Sequence, residues 1–246
     1  MSKAPSHPTR ADIHFMEPSF HSAPHESYSW LRKNAPVYWD ATARTWRGLG
    51  AWGITRYKDI RKISPRQDLF SSTGGSRPDA PPVPSMINRD GTEHRARRET
   101  VRHRFTLSAV RRYEEYVRQA AVQLIERVKS RGGGDLVLDL AMPLPMIVIG
   151  KMMGLPAKDH ERLLHWSDLI ATGFINMPER FKKKVLTAAE EFGLYIEEWF
   201  ERRSKQPEDD VLSDIVQAKI LNRSLDIKDR YHEALLLLVG GDETTR

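Results

Sequence analysis

Residues 234–246 read Ala-Leu-Leu-Leu-Leu-Val-Gly-Gly-Asp-Glu-Thr-Thr-Arg, an apolar run to Val239 that passes at once into Gly240, Gly241, Asp242, Glu243, Thr244 and Thr245. Two glycines inside a helix cost about 1 kcal/mol each relative to Ala, so a helix that keeps them has a reason. One reason is that something flat approaches the backbone closely. The acid and alcohol that follow could then hold water or relay protons, because a Thr hydroxyl can bond back to a carbonyl one turn earlier and open a local gap. The plainer reading ends the helix at the Gly pair and starts a loop at Asp242. The chain stops inside this pattern, where a domain ordinarily closes with a cap or a polar tail, which suggests truncation.

Working outward, residues 92–98 read Thr-Glu-His-Arg-Ala-Arg-Arg. His94 and Arg98 are four apart, so on a helix both side chains lie on one face. A His and an Arg there can grip a pair of carboxylates, the Arg offering a planar fork of donors. An ordinary solvated basic helix fits the spacing too, since Arg95, Arg97, Arg98, Arg102 and Arg104 crowd the segment.

The intervening sequence is mostly helical. Residues 92–103 form one helix and 108–129 another, with Val110, Tyr113, Val117, Ala121, Leu124, Ile125 and Val128 recurring near the 3.6-residue period. The glycines at 132–134 end it, residues 136–138 suit a short strand, and residues 143–153, 158–172, 178–203, 210–220 and 227 onward suit helices. Toward the start, residues 1–24 read as a flexible arm, 25–33 as a helix, 37–39 and 49–55 as a hairpin, and 58–63 as a short helix. Residues 64–90 are irregular, hold Pro78, Pro81, Pro82 and Pro84, and close on Met86 and Ile87. A loop this long is either functional or a mobile surface loop, and composition leaves both open. The class is mainly α with a small β part.

Composition bounds the chemistry. The 246 residues include nine His and no Cys, so disulfides, thiolate nucleophiles and cysteine zinc sites are excluded. Lys plus Arg number 39 against 33 Asp plus Glu, a net charge of +6 that fits acidic partners or nucleic acid without fixing either. No apolar run approaches the ~20 residues of a membrane span, and no export signal is visible, so a cytoplasmic protein without a transmembrane segment is expected. No metalloprotease, P-loop or dinucleotide motif is present.

The two motifs, in this order, resemble those of the cytochrome P450 family. A His-x-x-x-Arg on that family's C helix binds haem propionates, matching His94 and Arg98, and Asp90-Gly91-Thr92-Glu93 resembles the lead-in of its bacterial members. Its I helix carries Gly-Gly-x-(Asp/Glu)-Thr-Thr, matching residues 240–245, and Leu144-Pro145, Val148-Ile149 and Met152-Met153-Gly154-Leu155-Pro156 are similar to its E-helix region. The resemblance runs from about residue 10 to 246. It implies an arm over 1–24 and a partial domain over 25–246, from helix A into helix I, without the family's Glu-x-x-Arg and Cys-ligand regions.

The resemblance implies haem b and O2, with His94 and Arg98 anchoring the haem and Gly240 and Gly241 letting the helix pass over it. Glu243 and Thr244 would deliver protons. Met86, Ile87, Leu169, Ile170, Phe174 and Val239 would wall a pocket for an apolar substrate. Arg102, Arg104, Arg111 and Arg112 would face an acidic ferredoxin, itself served by an NAD(P)H-dependent reductase. Phe70 to Asp79 and Leu235 to Arg246 look like the actinobacterial group that oxidises steroid side chains. Because no Cys is present, the axial thiolate that favours O–O cleavage cannot come from these residues, so the fragment alone is expected to be inactive and to expose an apolar face. The alternatives are a non-catalytic remnant or partner protein, and a basic helical nucleic-acid-binding protein; the scattered acidic residues and the lack of a recognition helix speak against nucleic acid.

Overall fold

The computed structural model describes residues 10, 12–171 and 179–246. The chain forms two compact units, Met1–Pro82 and Val83–Arg246.

In the first unit, α1 (Pro18–Ser22) and α2 (Pro24–Asn34) each start on a proline, whose fixed φ suits the first helical turn. They precede the antiparallel strands β1 (Val37–Thr45) and β2 (Gly48–Ile54), then α3 (Tyr57–Ile63). Ile13, Phe20, Leu31, Ala35 and Tyr38 make a small core, edged by Phe15 and Tyr28 against Phe20. Residues 12–24 are therefore not the loose arm their composition suggests, because Ile13 and Phe20 are buried anchors. Buried Asp40 ties this stretch to the hairpin by accepting from the Phe15 amide at 2.7 Å and from Thr42 N and Oγ1. Gly50, at φ +96°, lies under the Trp39 ring, where a Cβ would come within 2.1 Å.

The second unit is helical: α4 (Gly91–Arg102), α5 (Leu107–Arg111), α6 (Glu114–Ser130), α7 (Pro143–Met152), α8 (His160–Ala171), α9 (Glu179–Lys205), α10 (Val211–Gln217) and α11 (Ile227–Asp242). Three of these starts carry side-chain caps, with Thr106, Asp210 and Asp226 accepting from Ala109, Ser213 and Asp229 amides. Helix α7 packs against α6, α8 and α11, and its Met146, Ile149 and Met152 meet Leu163, Trp166, Phe192, Ile196 and Leu238 in one core. Burying each such side chain contributes roughly 1.5–3 kcal/mol.

Three local expectations are corrected. The helix over 108–129 is two helices, because Arg112 and Tyr113 turn tightly with their amides on Ala109 and Val110 carbonyls. Residues 136–138 are not a strand but enter a π turn (Val137–Ala141); Asp135 Oδ1 takes the Val137 and Leu138 amides at 2.7 and 3.0 Å, which a strand would have needed. The helix over 210–220 ends at Gln217, and a short hairpin follows, β3 (Lys219–Ile220) with β4 (Arg223–Ser224). Leu221 and Asn222 both take positive φ there, the geometry of a tight two-residue hairpin turn.

Asp210 joins several segments of this unit. Its Oδ1 caps α10, its Oδ2 accepts from Arg203 Nε at 2.6 Å, and its carbonyl accepts from Arg104 Nη2. Arg203 also donates to the Gly154 carbonyl, and a Cβ on Gly154 would fall 2.1 Å from Asp210 Oδ2, so that glycine is required by packing as well as by its φ of +78°.

Candidate functional site

Helix α4 carries the first half of the site. His94 is half-buried, and its Nδ1 lies 3.0 Å from the Met86 carbonyl. A carbonyl only accepts, so Nδ1 carries the hydrogen and Nε2 is left for another partner. One turn on, Arg98 is exposed and makes no hydrogen bond or ion pair among the described residues. The other arginines of α4 are engaged: Arg95 with Thr92, Arg102 with Glu99, and Arg97 with a buried cluster.

That cluster was not legible beforehand. Arg97 is 5% exposed and donates to Glu93 Oε1 (3.1 Å), the Pro84 carbonyl (3.1 Å), Asp229 Oδ2 (3.1 Å) and Glu233 Oε1 (3.0 Å). The last two acids are on α11, so the cluster joins α4, the turn before it and α11. Burial pushes the Glu233 carboxyl up from its ordinary value, and Arg97 and the Met86 backbone draw it partly back. Glu93 lies below its ordinary value despite its own burial, because Arg89 and Arg97 favour the carboxylate.

The second half of the site is the end of α11. The helix continues through Gly240 and Gly241 to Asp242, so the Gly pair does not end it. The two glycines have different reasons. A Cβ on Gly241 would meet Ile149 Cγ1 of α7 at 2.8 Å, whereas a Cβ on Gly240 would meet nothing within 4 Å. Close helix packing accounts for Gly241, and Gly240 keeps its side of the helix open. Thr244 Oγ1 bonds back to the Gly240 carbonyl at 2.6 Å, the local arrangement expected of an alcohol one turn on.

Glu243 is pushed above the ordinary carboxyl range, first by burial and then by neighbouring Asp168 and Asp242, with Arg246 opposing. The carboxylates of Asp168, Asp242 and Glu243 lie within 4.8 Å of one another. Arg246 pairs with all three, at 2.5 Å to Asp242 and 3.0 Å to Glu243, so a cation is already supplied and no metal is needed. Arg246 and Asp168 had no warning in the sequence, because Asp168 comes from α8.

Met86 sits in a 3-10 turn (Met86–Asn88) and, with Leu169 and Ile170 of α8, flanks the main core. Ile87 is exposed and Val239 half-buried. Phe174 lies outside the described residues. On the basic face, Arg102, Arg111 and Arg112 are exposed, but Arg104 is not. It is buried and bonds Asp214 at 2.6 and 3.0 Å and Asp209 as well, which removes it from any surface offered to a partner. Its carboxylate partners raise its pKa further. No helix among the described residues is long and apolar enough to cross a membrane.

In sequence and in fold the chain is similar to cytochrome P450s, over part of their length. A steroid C26-monooxygenase of Mycolicibacterium smegmatis is 34% identical over 241 residues, covering 97% of this chain and 58% of that protein. A methyl-branched lipid omega-hydroxylase of Mycobacterium bovis is 32% identical over 233 residues, covering 89% and 54%. Among solved structures, Mycobacterium marinum cytochrome P450 CYP268A2 in complex with pseudoionone matches with a TM-score of 0.85 at 26% identity, covering 98% of this chain and 63% of that one. CYP109E1 from Bacillus megaterium in complex with testosterone matches at 0.74 and 27%, covering 89% and 57%. No protein-family model matches. The chain spans little more than half the length of these relatives.

Proposed function

We propose that this chain forms the distal part of the haem pocket of a cytochrome P450 monooxygenase that inserts one oxygen atom of O2 into an apolar substrate of the steroid or branched-lipid type. The observation that carries the reading is Arg98, the one arginine of α4 without a partner among the described residues, a turn from a histidine with Nδ1 already committed. A buried-edge histidine and a free guanidinium on one face suit two carboxylates, as haem b presents. Gly240, with open space where a Cβ would stand, fits a flat group against α11.

In this reading Arg98 gives a two-pronged grip on one propionate, and His94, once protonated, donates through Nε2 to the other. Haem b, when bound, supplies the iron on which O2 is activated. Thr244 keeps its hydroxyl beside the Gly240 carbonyl and holds a proton there, and Glu243, with its carboxyl raised, is the group that replenishes it. Met86, Ile87, Leu169, Ile170 and Val239 exclude water from the substrate side. Arg102, Arg111 and Arg112 receive an acidic ferredoxin, which an NAD(P)H-dependent reductase recharges. The axial thiolate has no source among these residues, so the 246 residues alone hold haem without oxidising a substrate.

Titration of the purified chain with hemin tests this. Saturable one-to-one binding that weakens by about 10–100-fold in Arg98→Ala, the scale of losing a charge-assisted hydrogen-bond pair, supports the reading. Binding unaffected by Arg98→Ala and His94→Ala together would overturn it.

A further inference from the structure

We propose that Arg97 is a positioning residue for His94: its buried bonds to Glu233, Asp229, Glu93 and the Pro84 carbonyl fix the turn whose Met86 carbonyl orients the His94 imidazole. The inference rests on the haem-pocket reading for its purpose, and on contacts within one unit for its geometry.

The case begins with cost. Bringing a guanidinium to 5% exposure and Glu233 to 2% exposure forfeits their hydration, and a well-packed apolar pair at such sites is often as stable or more so. An apolar pair would hold the helices together but could not bond a backbone carbonyl. Arg97 does: Nη1 reaches both Glu233 Oε1 on α11 and the Pro84 carbonyl in the segment before α4. Nη2 reaches Asp229 one turn earlier on α11, and Nε reaches Glu93 one turn back on α4. A planar fork with its donors committed to three segments fixes direction as well as distance.

The segment so fixed is short. Two residues after Pro84, Met86 presents its carbonyl to His94 Nδ1, and its backbone lies close enough to Glu233 to lower that carboxyl. Ser85, between them, is fully buried. The chain of contacts therefore runs from α11 through Arg97 and residues 84–86 to the imidazole. A histidine ligand or grip is commonly set by the partner of its other nitrogen. Here that partner is a carbonyl, and the carbonyl is in turn held by Arg97.

A second buried arginine supplies the control. Arg203 is also 5% exposed and bonds Asp210, Glu208 and the Gly154 carbonyl, none of them His94 or residues 84–86. Its loss should disturb stability without reaching the imidazole.

The test is 15N NMR of the histidine side chains in the 246-residue chain, with hemin titration alongside. The wild-type His94 ring should be the Nδ1–H tautomer when neutral. Arg97→Lys keeps the charge but loses the fork; it should shift His94 toward the Nε2–H tautomer and weaken hemin about tenfold, the usual scale for an outer partner that orients a histidine. Arg203→Lys should leave the tautomer unchanged. If Arg97→Lys does not fold, Asp229→Asn removes one bond of the fork from a partly exposed site and should give a smaller shift in the same direction. An unchanged tautomer in both variants at the Arg97 cluster, or an equal shift in Arg203→Lys, overturns the proposal. If hemin binds neither wild type nor variant, the haem reading fails for this chain, while the tautomer still decides whether Arg97 positions His94.

Discussion

The two ends of α11 are both gathered by an arginine among carboxylates, and the two clusters are built differently. Near the start, Arg97 comes from α4 and reaches Asp229 and Glu233, so its bonds tie one helix to another. At the far end, Arg246 follows the same helix as Asp242 and Glu243, and only Asp168 of α8 comes from outside. The first cluster is a joint between helices. The second sets one cation against three carboxylates, and burial with the neighbouring acids keeps the Glu243 carboxyl raised. The first end is fixed across helices, although Glu233 Oε2 is left buried without a partner, and the second keeps a carboxyl that holds its proton more tightly than usual.

The largest test of this contrast removes the joint. Arg97→Met leaves Glu233 buried without its cation and should destabilise the chain by about 3–5 kcal/mol, read from denaturant unfolding. Adding Glu233→Leu should restore much of that loss, since both charges then go together. A smaller effect separates the two glycines. Gly241→Ala must push Ile149 aside and should cost about 1–3 kcal/mol, whereas Gly240→Ala meets no atom and should stabilise the isolated chain by up to about 1 kcal/mol through helix propensity. Equal effects at the two positions would remove the argument that Gly240 is kept for something outside the chain.

The smallest effect is a pH slope. Glu233 has a folded carboxyl above its ordinary value near 4.5, so its contribution is fully present below that value and is lost as pH rises through the folded one. Glu233→Gln should therefore show less decline in stability from mildly acid to neutral pH than wild type, measured as the denaturation midpoint across that range. A raised Glu243 acts in the same sense, so the slope should be reduced rather than abolished.

Much of this was legible in the sequence, for reasons that particular residues make plain. The 3.6-residue recurrence through Val117, Ala121, Leu124 and Val128 located α6, because amphipathic packing obeys that period. It could not show the break at Arg112 and Tyr113, where backbone turns decide and side-chain pattern is silent. Residues 136–138 look apolar and strand-like, yet Asp135 captures their amides. Spacing singled out His94, Arg98 and the Gly pair but left an ordinary basic helix and a helix end open, and only the family resemblance gave them roles. Arg97 was not, since a buried arginine in a run of arginines has the same letters as an exposed one. The available hints were Glu93 four residues before it and Glu233 directly ahead of the apolar run on α11. Arg104 was misassigned for the same reason: its partners Asp209 and Asp214 are more than a hundred residues away.

Asp210 also joins a near partner to a distant one. Its bond to Arg203 spans seven residues, whereas its carbonyl meets Arg104 across 106. Closing the short loop forfeits far less chain entropy than closing the long one, so the corner between α9 and α10 can form by itself, with the end of α4 clipped onto it afterwards. Substitutions at Arg203 should then slow folding, and those at Arg104 should chiefly hasten unfolding. One residue thus closes a short loop through its carboxylate and a long one through its backbone carbonyl.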